Sequence, residues 1–315
     1  MTLFEVITPG AFTTVQDLGR YGFQKMGLPI CGALDAYAFR LANLLVGNSD
    51  NCAVLEITVM GPRLKFLAET DIAVTGAEMS MTLNQTPVSG WQSLRVNPDD
   101  KLEIHQIKTG CRAYLAVSGG IDVPVVMGSR STYVGGKIGG FKGRPLQAGD
   151  LIESNPAQLL KSPKQLPVKY TPHYPTEITL CAIPGPQDDF FREGLDVLFG
   201  SAFMVTAKAD RMGYRLQGPS ICVREDMPQS IISEPTMPGG IQIPADQQPI
   251  ILLVEQTVGG YNKIATVISS DLPKIAQATP GDTIHFEKIT LEKAHAAFKD
   301  AQKQMSEIAA HLSRQ

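Results

Sequence analysis

The chain has 315 residues, of which 43% are hydrophobic, and this is enough for two packed domains or one large domain. Its formal net charge of -3 argues against a nucleic-acid partner, because phosphate binding requires a basic surface. Its five cysteines include no CxxC pair, which argues against a disulfide framework or a zinc site and indicates a reducing cytosol. With no recognisable signal peptide and no apolar run long enough for a membrane span, a cytoplasmic protein is expected.

Short strands and one early helix are predicted for the first half of the chain. A strand over residues 3–7 ends at Pro9, and a helix capped by Asp35 ends at Gly47. From residue 53 onward, turn signals recur about every ten residues, which is typical of a β barrel or sandwich. The predicted strands include two separate pairs, at residues 72–76 and 79–83 and at residues 102–107 and 111–117.

Two segments interrupt this pattern. Residues 118–142 form a long glycine-rich loop, which is usually a functional or mobile kind of segment, but they contain no GxxxxGK[ST] phosphate-binding motif. Residues 155–175 are rich in proline, lysine and glutamine and are the predicted linker. We therefore predict an N-terminal β domain over residues 1–160, a C-terminal β domain over residues 161–290 and a C-terminal helix over residues 291–315.

The second half again places one short helix among strands. This helix carries Phe190 and Leu198 and ends at Gly200. The C-terminal helix begins after Thr290, and its apolar residues recur every seven positions up to Leu312. Such a seam packs either against its own chain or against a partner helix, and the sequence leaves both interpretations open.

Histidine chemistry is not expected. The five histidines do not stand at metal-ligand spacing, and no GxSxG nucleophile motif occurs. His105 and His285 lie on predicted strands, on the face opposite the aliphatic residues, and are expected to be solvated. We predict neither a metal site nor a histidine-based mechanism.

Four polar clusters lie beside glycines. They comprise residues 13–22, residues 128–133, residues 210–216, and residues 239–244 together with 255–261. Arginines with amide and hydroxyl donors suit a carboxylate, carboxamide or phosphate group, because a guanidinium binds such groups through two hydrogen bonds. The carboxylates of Asp17 and Glu255 could orient a substrate or remove a proton. Alternatively, Asp17 pairs with Arg20 and the arginines bind backbone carbonyls of loops.

These clusters also carry a family resemblance. The chain resembles the KipA family, which is also called the allophanate hydrolase subunit 2-like or biotin-dependent carboxyltransferase-like family. The resemblance runs in order over roughly residues 3–290, and the segments that carry it are residues 13–22, 31–35, 42–48, 55–57, 128–132, 139–150, 211–216 and 259–261. Small departures occur at Asp210, Gln247 and Asn262, and they concern ligand detail.

The resemblance implies a mainly β fold with two tandem cyclophilin-like β-barrel domains, a few short helices and a C-terminal helix. It implies one component of an ATP-dependent 5-oxoprolinase that opens 5-oxo-L-proline to L-glutamate with ATP hydrolysis. The implied partners are a KipI-like subunit (PxpB) and a lactam-utilisation subunit (PxpA), with ATP bound in the complex. Neither a membrane nor a nucleic acid is expected as a partner.

Two other functions fit the same family. One is a biotin-linked carboxyltransferase subunit related to urea carboxylase and allophanate hydrolase, for which biotin would be supplied by another chain, because no Met-Lys-Met attachment site occurs here. The other is a non-enzymatic KipA-type protein that sequesters a KipI-like kinase inhibitor. Turnover of a substrate separates the enzymatic functions from this one.

The residues expected to carry the chemistry come from all four clusters. We expect Arg20, Arg130 and Arg211 to hold anionic groups, and Asp17 and Glu255 to orient the substrate or act as a base. The predicted catalytic residues are Asp17, Arg20, Arg211 and Glu255. The predicted substrate-binding residues are Thr14, Gln16, Arg130, Ser131, Tyr214, Gln242, Gly259, Gly260 and Tyr261.

Overall fold

The computed structural model describes residues 1–315, with the side chain of residue 192 left out of the description. The chain divides into two compact units. The first unit comprises Met1–Arg20, Cys31–Tyr174 and Gln304–Gln315. The second unit comprises Tyr21–Ile30 and Pro175–Lys303.

The first unit is built on one large antiparallel sheet. Its elements are β1 (Thr2–Thr8), β2 (Phe12–Gln16), α1 (Ala36–Leu45), β3 (Val54–Thr58), β4 (Arg63–Phe66), β5 (Thr70–Leu83), β6 (Thr86–Val88), β7 (Ser93–Val96), β8 (Lys101–Val117) and β9 (Leu151–Glu153). The strands follow the order β2-β3-β8-β4-β1-β9, and β5 pairs with β8 as well as with β6 and β7.

The longest strands, β5 and β8, correct the sequence prediction. We expected four separate strands here, broken near Gly76 and Gly110. Both glycines adopt a positive φ, +89° and +80°, yet the two strands stay paired across them through shifts in register. The glycines therefore mark irregularities inside continuous strands rather than strand ends.

Helix α1 begins and ends as predicted. The side chain of Asp35 accepts a hydrogen bond from the Ala38 amide at 2.9 Å and thereby caps the first turn. The apolar face of α1 is buried in a cluster that also contains Tyr114 of β8 and Ile308 and Leu312 from the C-terminal helix. The final turns of that helix thus pack against their own chain, which was one of the two interpretations of its seam.

The second unit contains a closed barrel. Its elements are β10 (Glu177–Pro184), α2 (Arg192–Gly200), β11 (Ala202–Ala209), β12 (Gly213–Gln217), β13 (Glu234–Pro235), β14 (Gly240–Ile243), β15 (Ile250–Leu252), β16 (Val258–Gly259), β17 (Asn262–Val267), α3 (Leu272–Ala276), β18 (Thr283–Lys288) and the first part of α4 (Leu291–Leu312), up to residue 303. Among the described residues, seven of these strands close in the order β10-β17-β14-β15-β12-β11-β18, and β13 pairs separately with β16. Only the pair β10 and β18 is parallel among these.

The predicted mainly β architecture with few helices and a C-terminal helix is confirmed. The division into units differs from the predicted limits, because residues 161–174 belong to the first unit. Their backbone pairs with that unit: the Ser93 amide donates to the Lys164 carbonyl at 2.8 Å, and the Leu166 amide donates to the Trp91 carbonyl at 2.9 Å. None of the described helices has the length and apolar composition that crossing a lipid bilayer requires.

Candidate functional site

Asp17, directly after β2, is the centre of a hydrogen-bonded cluster in the first unit. Its side chain is only 4% exposed. Oδ1 accepts hydrogen bonds from the Ser129 hydroxyl at 2.6 Å, the Ser131 hydroxyl at 2.5 Å and the Gly19 amide at 2.9 Å, and Oδ2 accepts one from the Arg130 amide at 2.6 Å. The carboxylate thus accepts four hydrogen bonds, three of them on Oδ1. The arrangement favours a positioning role for Asp17 over a role as a base.

Arg20 holds the same loop from a second direction. Its Nε donates to the Val126 carbonyl and its Nη2 donates to the Ser131 carbonyl, both at 3.0 Å, and the side chain is 1% exposed. A Cβ atom at Gly139 would lie 2.6 Å from Nη2 and 2.3 Å from the Ser131 carbonyl oxygen. The guanidinium thus binds backbone carbonyls, as in the alternative interpretation of the sequence, and only glycine fits beside it.

Thr14 and Gln16 connect β2 to two loops. The Gln16 Nε2 donates to the Thr14 hydroxyl at 3.0 Å and to the Thr132 carbonyl at 3.2 Å. Its Oε1 accepts the Gly32 amide at 3.2 Å. Both side chains are fully buried, so they shape the site from beneath and do not face solvent.

Arg130 is the predicted residue of this cluster that reaches the surface. Its backbone amide is fixed by Asp17, and its Nε donates to the Val123 carbonyl at 3.2 Å. The side chain is half-buried, whereas the other predicted residues of the first unit are buried. Within this cluster, the Arg130 guanidinium is therefore the charged group placed to meet an anionic ligand.

In the second unit, Arg211 and Glu255 form a buried ion pair. The Arg211 Nε lies 2.5 Å from Glu255 Oε1, and the side chains are 6% and 10% exposed. The Glu255 amide also donates to the Arg211 carbonyl at 3.1 Å, which fixes the two backbone segments together. Asp210, at the preceding position, accepts the Met212 amide at 2.7 Å and closes the turn between β11 and β12.

Gln242 and Gly259 lie against each other in the second unit. Gln242 is 1% exposed, and a Cβ atom at Gly259 would lie 2.7 Å from its Nε2. Among the described residues, that Nε2 has no hydrogen-bond partner. Gly260 follows on the same segment, and Tyr261 is 42% exposed. Gln242 is thus a buried donor beside a backbone that approaches it closely.

Tyr214 lies on β12, directly after the turn that Asp210 closes. Its ring is buried, and its hydroxyl donates to the Ala278 carbonyl at 3.3 Å. It alternates along β12 with the more exposed Arg215, so its side chain points into the core of the barrel. This placement favours a packing role over the predicted contact with substrate.

The structure therefore brings the predicted residues together in separate sets. In the first unit, Thr14, Gln16, Asp17, Arg20, Arg130 and Ser131 form one connected cluster. In the second unit, Arg211 contacts Glu255, and Gln242 contacts Gly259. That all of these form a single site stays a prediction.

Three buried residues of the first unit, Ser129, Glu56 and Tyr114, were not among the predicted site residues, although Ser129 lies in the predicted polar cluster of residues 128–133. Ser129 binds Asp17, and the Tyr114 hydroxyl donates to Glu56 Oε2 at 2.9 Å. Burial raises the pKa of Tyr114 well above its usual value of 10.0, and the negative charges of Glu56 and Asp35 raise it further. The sequence feature that could have pointed to these residues is Glu56 itself, a glutamate between the aliphatic residues of β3.

Among the described residues, no group of three or more His, Cys, Asp or Glu side chains is arranged to hold a metal ion. His105 and His285 are exposed, as expected from their positions on β8 and β18. A cavity of about 460 Å³ in the first unit is lined by Gly119 and by residues within 46–52 and 157–161. None of the predicted site residues lines it.

Comparisons with known proteins agree on one family. Residues 26–288 match the family model described as "Carboxyltransferase domain, subdomain A and B". The chain is 37% identical over 313 residues to the C subunit of 5-oxoprolinase from Escherichia coli (strain K12), covering 98% of this chain and 99% of that protein. It is also 37% identical to urea amidolyase of Lachancea kluyveri, covering 92% of this chain but 17% of that protein.

A solved structure matches over nearly the whole chain. The crystal structure of the K. lactis urea amidolyase superposes with a TM-score of 0.92 at 34% sequence identity. The match covers 97% of this chain and 20% of that one, so the chain corresponds to about a fifth of the larger enzyme.

Proposed function

The chain belongs to the carboxyltransferase domain family of subdomains A and B, and from this premise we propose that it is one component of an ATP-dependent 5-oxoprolinase. Together with the PxpA and PxpB chains, it opens 5-oxo-L-proline to L-glutamate with hydrolysis of ATP. The observation that carries this proposal is the near-complete mutual coverage between this chain and the C subunit of a 5-oxoprolinase. The urea amidolyases, in contrast, are matched over a small part of their length.

The reaction explains why the site needs cationic groups. ATP phosphorylates the lactam carbonyl oxygen and ADP leaves; water then adds to the carbonyl carbon and the C–N bond breaks, the ring nitrogen taking up a proton. A second water releases inorganic phosphate from the resulting acyl phosphate. Negative charge is concentrated on the phosphoryl oxygens and on the former carbonyl oxygen during these steps, and a guanidinium stabilises such charge.

We assign the anion-binding role in the first unit to Arg130. Asp17, Arg20 and Ser131 hold the loop that carries it, as their hydrogen bonds to residues 126–131 support. In the second unit, Arg211 and Glu255 are the charged pair proposed to act on the substrate, and Gln242 offers a buried donor. These roles rest on the geometry of each unit and on the charge that the reaction develops.

The test is turnover by the reconstituted complex. We expect the chain, coexpressed with PxpA and PxpB, to give ATP-dependent formation of glutamate from 5-oxoproline. The Arg130→Ala variant is expected to lower kcat about a hundredfold, the usual effect of removing one group that stabilises transition-state charge. The matched control is Arg63→Ala, since Arg63 lies on β4 and its ion pair with Glu103 is at the surface.

The possible outcomes separate the function of the complex from the role of Arg130. Absence of ATP-dependent glutamate formation by the native complex rejects the 5-oxoprolinase assignment. Equal losses in Arg130→Ala and Arg63→Ala reject the role of Arg130 while leaving the assignment of the complex intact. Binding to a KipI-like chain without any turnover would instead favour a sequestering protein.

A second function is supported by the urea amidolyase match. Its TM-score of 0.92 makes a biotin-linked carboxyltransferase the alternative, with the carboxyl group passing from carboxybiotin to a urea-like amide. The biotin would come from another chain or domain, since this sequence has no Met-Lys-Met attachment site. Transfer of labelled bicarbonate to urea, in the presence of a biotin carboxylase and a biotinyl domain, distinguishes this function from 5-oxoproline cleavage.

A further inference from the structure

Residues 32–35, which we call the anchor segment, have all four of their backbone amides bound by Gln16, Asp17, Glu56 and Tyr114, which lie on or directly after strands of the sheet in the first unit. The Gly32 amide donates to Gln16 Oε1 at 3.2 Å, and the Ala33 amide donates to the Asp17 carbonyl at 2.8 Å. The Leu34 amide donates to Glu56 Oε2 at 2.9 Å, and the Asp35 amide donates to the Tyr114 hydroxyl at 2.8 Å. A loop held at four successive amides has little freedom to move.

Glu56 and Tyr114 are hydrogen-bonded to each other and together bind two of these amides. Glu56 lies on β3 directly opposite Thr14 of β2, and Tyr114 lies on β8 directly opposite Glu56. The Tyr114 hydroxyl donates its proton to Glu56 Oε2, which leaves its oxygen to accept the Asp35 amide. Burial raises the pKa of Tyr114, so its hydroxyl keeps the proton that it donates to Glu56.

The anchor segment in turn supports the Asp17 cluster. Besides the bond from Ala33 to the Asp17 carbonyl, Gly32 packs closely on the following residues: a Cβ there would lie 2.8 Å from the Leu18 carbonyl carbon and 2.9 Å from the Gly19 Cα. Gly19 itself donates to the Asp17 carboxylate. The segment therefore packs on the backbone from the Asp17 carbonyl to Gly19, directly after the Asp17 side chain.

We propose that Glu56 and Tyr114 are positioning residues for the Asp17 cluster. They hold the amides of Leu34 and Asp35, the anchor segment holds Asp17, and the Asp17 carboxylate holds the Arg130 amide at 2.6 Å. Neither side chain needs to touch a ligand for this role. The expected effect on catalysis rests on the proposed function of Arg130. The expected effect on the rigidity of the loop that carries Arg130 does not.

Amide hydrogen exchange on the full chain tests the expected effect on rigidity. In Tyr114→Phe, the amides of Leu34, Asp35 and Arg130 are expected to exchange about tenfold faster than in the native chain. The variant removes the hydroxyl that binds Glu56 and accepts the Asp35 amide, and losing a buried hydrogen bond has an effect of about this size. Glu56→Ala is expected to do the same. Glu56→Gln keeps a carbonyl oxygen for the Leu34 amide and the Tyr114 hydroxyl and should largely restore slow exchange.

Thr75→Val is the matched control. Thr75 is buried in the same unit, and its hydroxyl donates to the Ala38 carbonyl at 2.7 Å, so the variant also removes one buried hydroxyl. It should lower stability without accelerating exchange at the Leu34 or Arg130 amides. If Tyr114→Phe accelerates exchange no more than this control does, or at Leu34 and Asp35 but not at Arg130, the proposal is overturned.

Kinetics then separate this proposal from the proposed function. In the active complex, Tyr114→Phe should lower kcat by about tenfold and leave KM near its native value, because the position of Arg130 changes while its charge remains. Unchanged kcat together with faster exchange overturns the link to catalysis. If the native complex has no 5-oxoprolinase activity, the proposed function fails, and the exchange data still decide whether Glu56 and Tyr114 position the cluster.

Discussion

The two units hold a buried carboxylate in different ways. In the first, Asp17 is surrounded by hydroxyl and amide donors, and its four hydrogen bonds order a loop. In the second, Glu255 faces one guanidinium, that of Arg211. Neutral donors distribute the interaction over several backbone segments, whereas an ion pair concentrates it in two side chains. The first arrangement suits positioning, and the second holds charge that a ligand could engage.

The largest effect is expected from breaking the ion pair. Arg211→Leu leaves the Glu255 carboxylate buried without that partner and should lower the free energy of unfolding by about 3–5 kcal/mol. Adding Glu255→Leu should recover most of this loss, because the uncompensated charge is removed. Urea unfolding of the two single variants and the double variant measures the coupling. If the losses of unfolding free energy in the two single variants add up to the loss in the double variant, the interaction between the two side chains contributes little to stability.

Substitution in the Asp17 cluster should cost less stability than breaking the ion pair. Asp17→Asn keeps the shape of the side chain and one acceptor oxygen but places an NH₂ group against donors, so we expect a loss of about 2 kcal/mol in the free energy of unfolding. Exchange of the Ser129, Arg130 and Ser131 amides should rise together. A loss above that of Arg211→Leu would contradict the idea that the cluster distributes its interactions.

Two glycines of residues 118–142 allow the stability cost of a steric collision to be distinguished from the cost of an unfavourable backbone conformation. Gly139 and Gly128 both have a positive φ, +64° and +77°, but a Cβ at Gly139 would collide with the Ser131 carbonyl, whereas nothing lies within 4 Å of one at Gly128. Gly128→Ala should cost about 1 kcal/mol of stability from backbone conformation alone. Gly139→Ala should cost clearly more and displace Arg20. Equal melting temperatures would contradict this geometry.

The sequence predicted the fold better than the contacts of the site. The Asp35 cap and the limits of α4 follow from local signals, and the structure agrees with both. The breaks expected at Gly76 and Gly110 were wrong, because a glycine with positive φ fits a bulge as well as a turn. Local patterns carry no information on which distant strands continue across such a bulge.

The types of the site residues allowed them to be located in the sequence, but their hydrogen-bond partners could not be predicted from it. Asp17 binds Ser129 and Ser131, which are more than 100 residues away in sequence, and such pairing follows from the sheet order and not from spacing. Tyr114 and Glu56 were missed for a related reason. Glu56 stands between aliphatic residues of β3 and Tyr114 lies in the buried end of β8, and only the register between β3 and β8 reveals that they face each other.

The smallest expected effect concerns a third carboxylate, Asp150, which combines both arrangements. It accepts two hydrogen bonds from Arg144 at 2.7 Å and one from the Gln147 amide at 2.7 Å. The hydrogen bond from Arg144, assisted by the Gln147 amide, lowers the pKa of Asp150 below its usual 3.8, although burial opposes this. Because Arg144 is partly exposed, the contribution to stability should be about 1 kcal/mol at most.

The sign of the pH dependence follows from this lowered pKa. A carboxyl group with a lower pKa in the folded state contributes its full stability above the unfolded value, and loses that contribution as the pH falls through the folded value. The native chain should therefore lose this part of its stability below about pH 4, and Asp150→Asn should show a shallower decline between about pH 5 and pH 2. Urea unfolding across that range measures the difference between the two slopes. Parallel curves would mean that Arg144 and the Gln147 amide do not favour the ionised form of Asp150 in the folded chain.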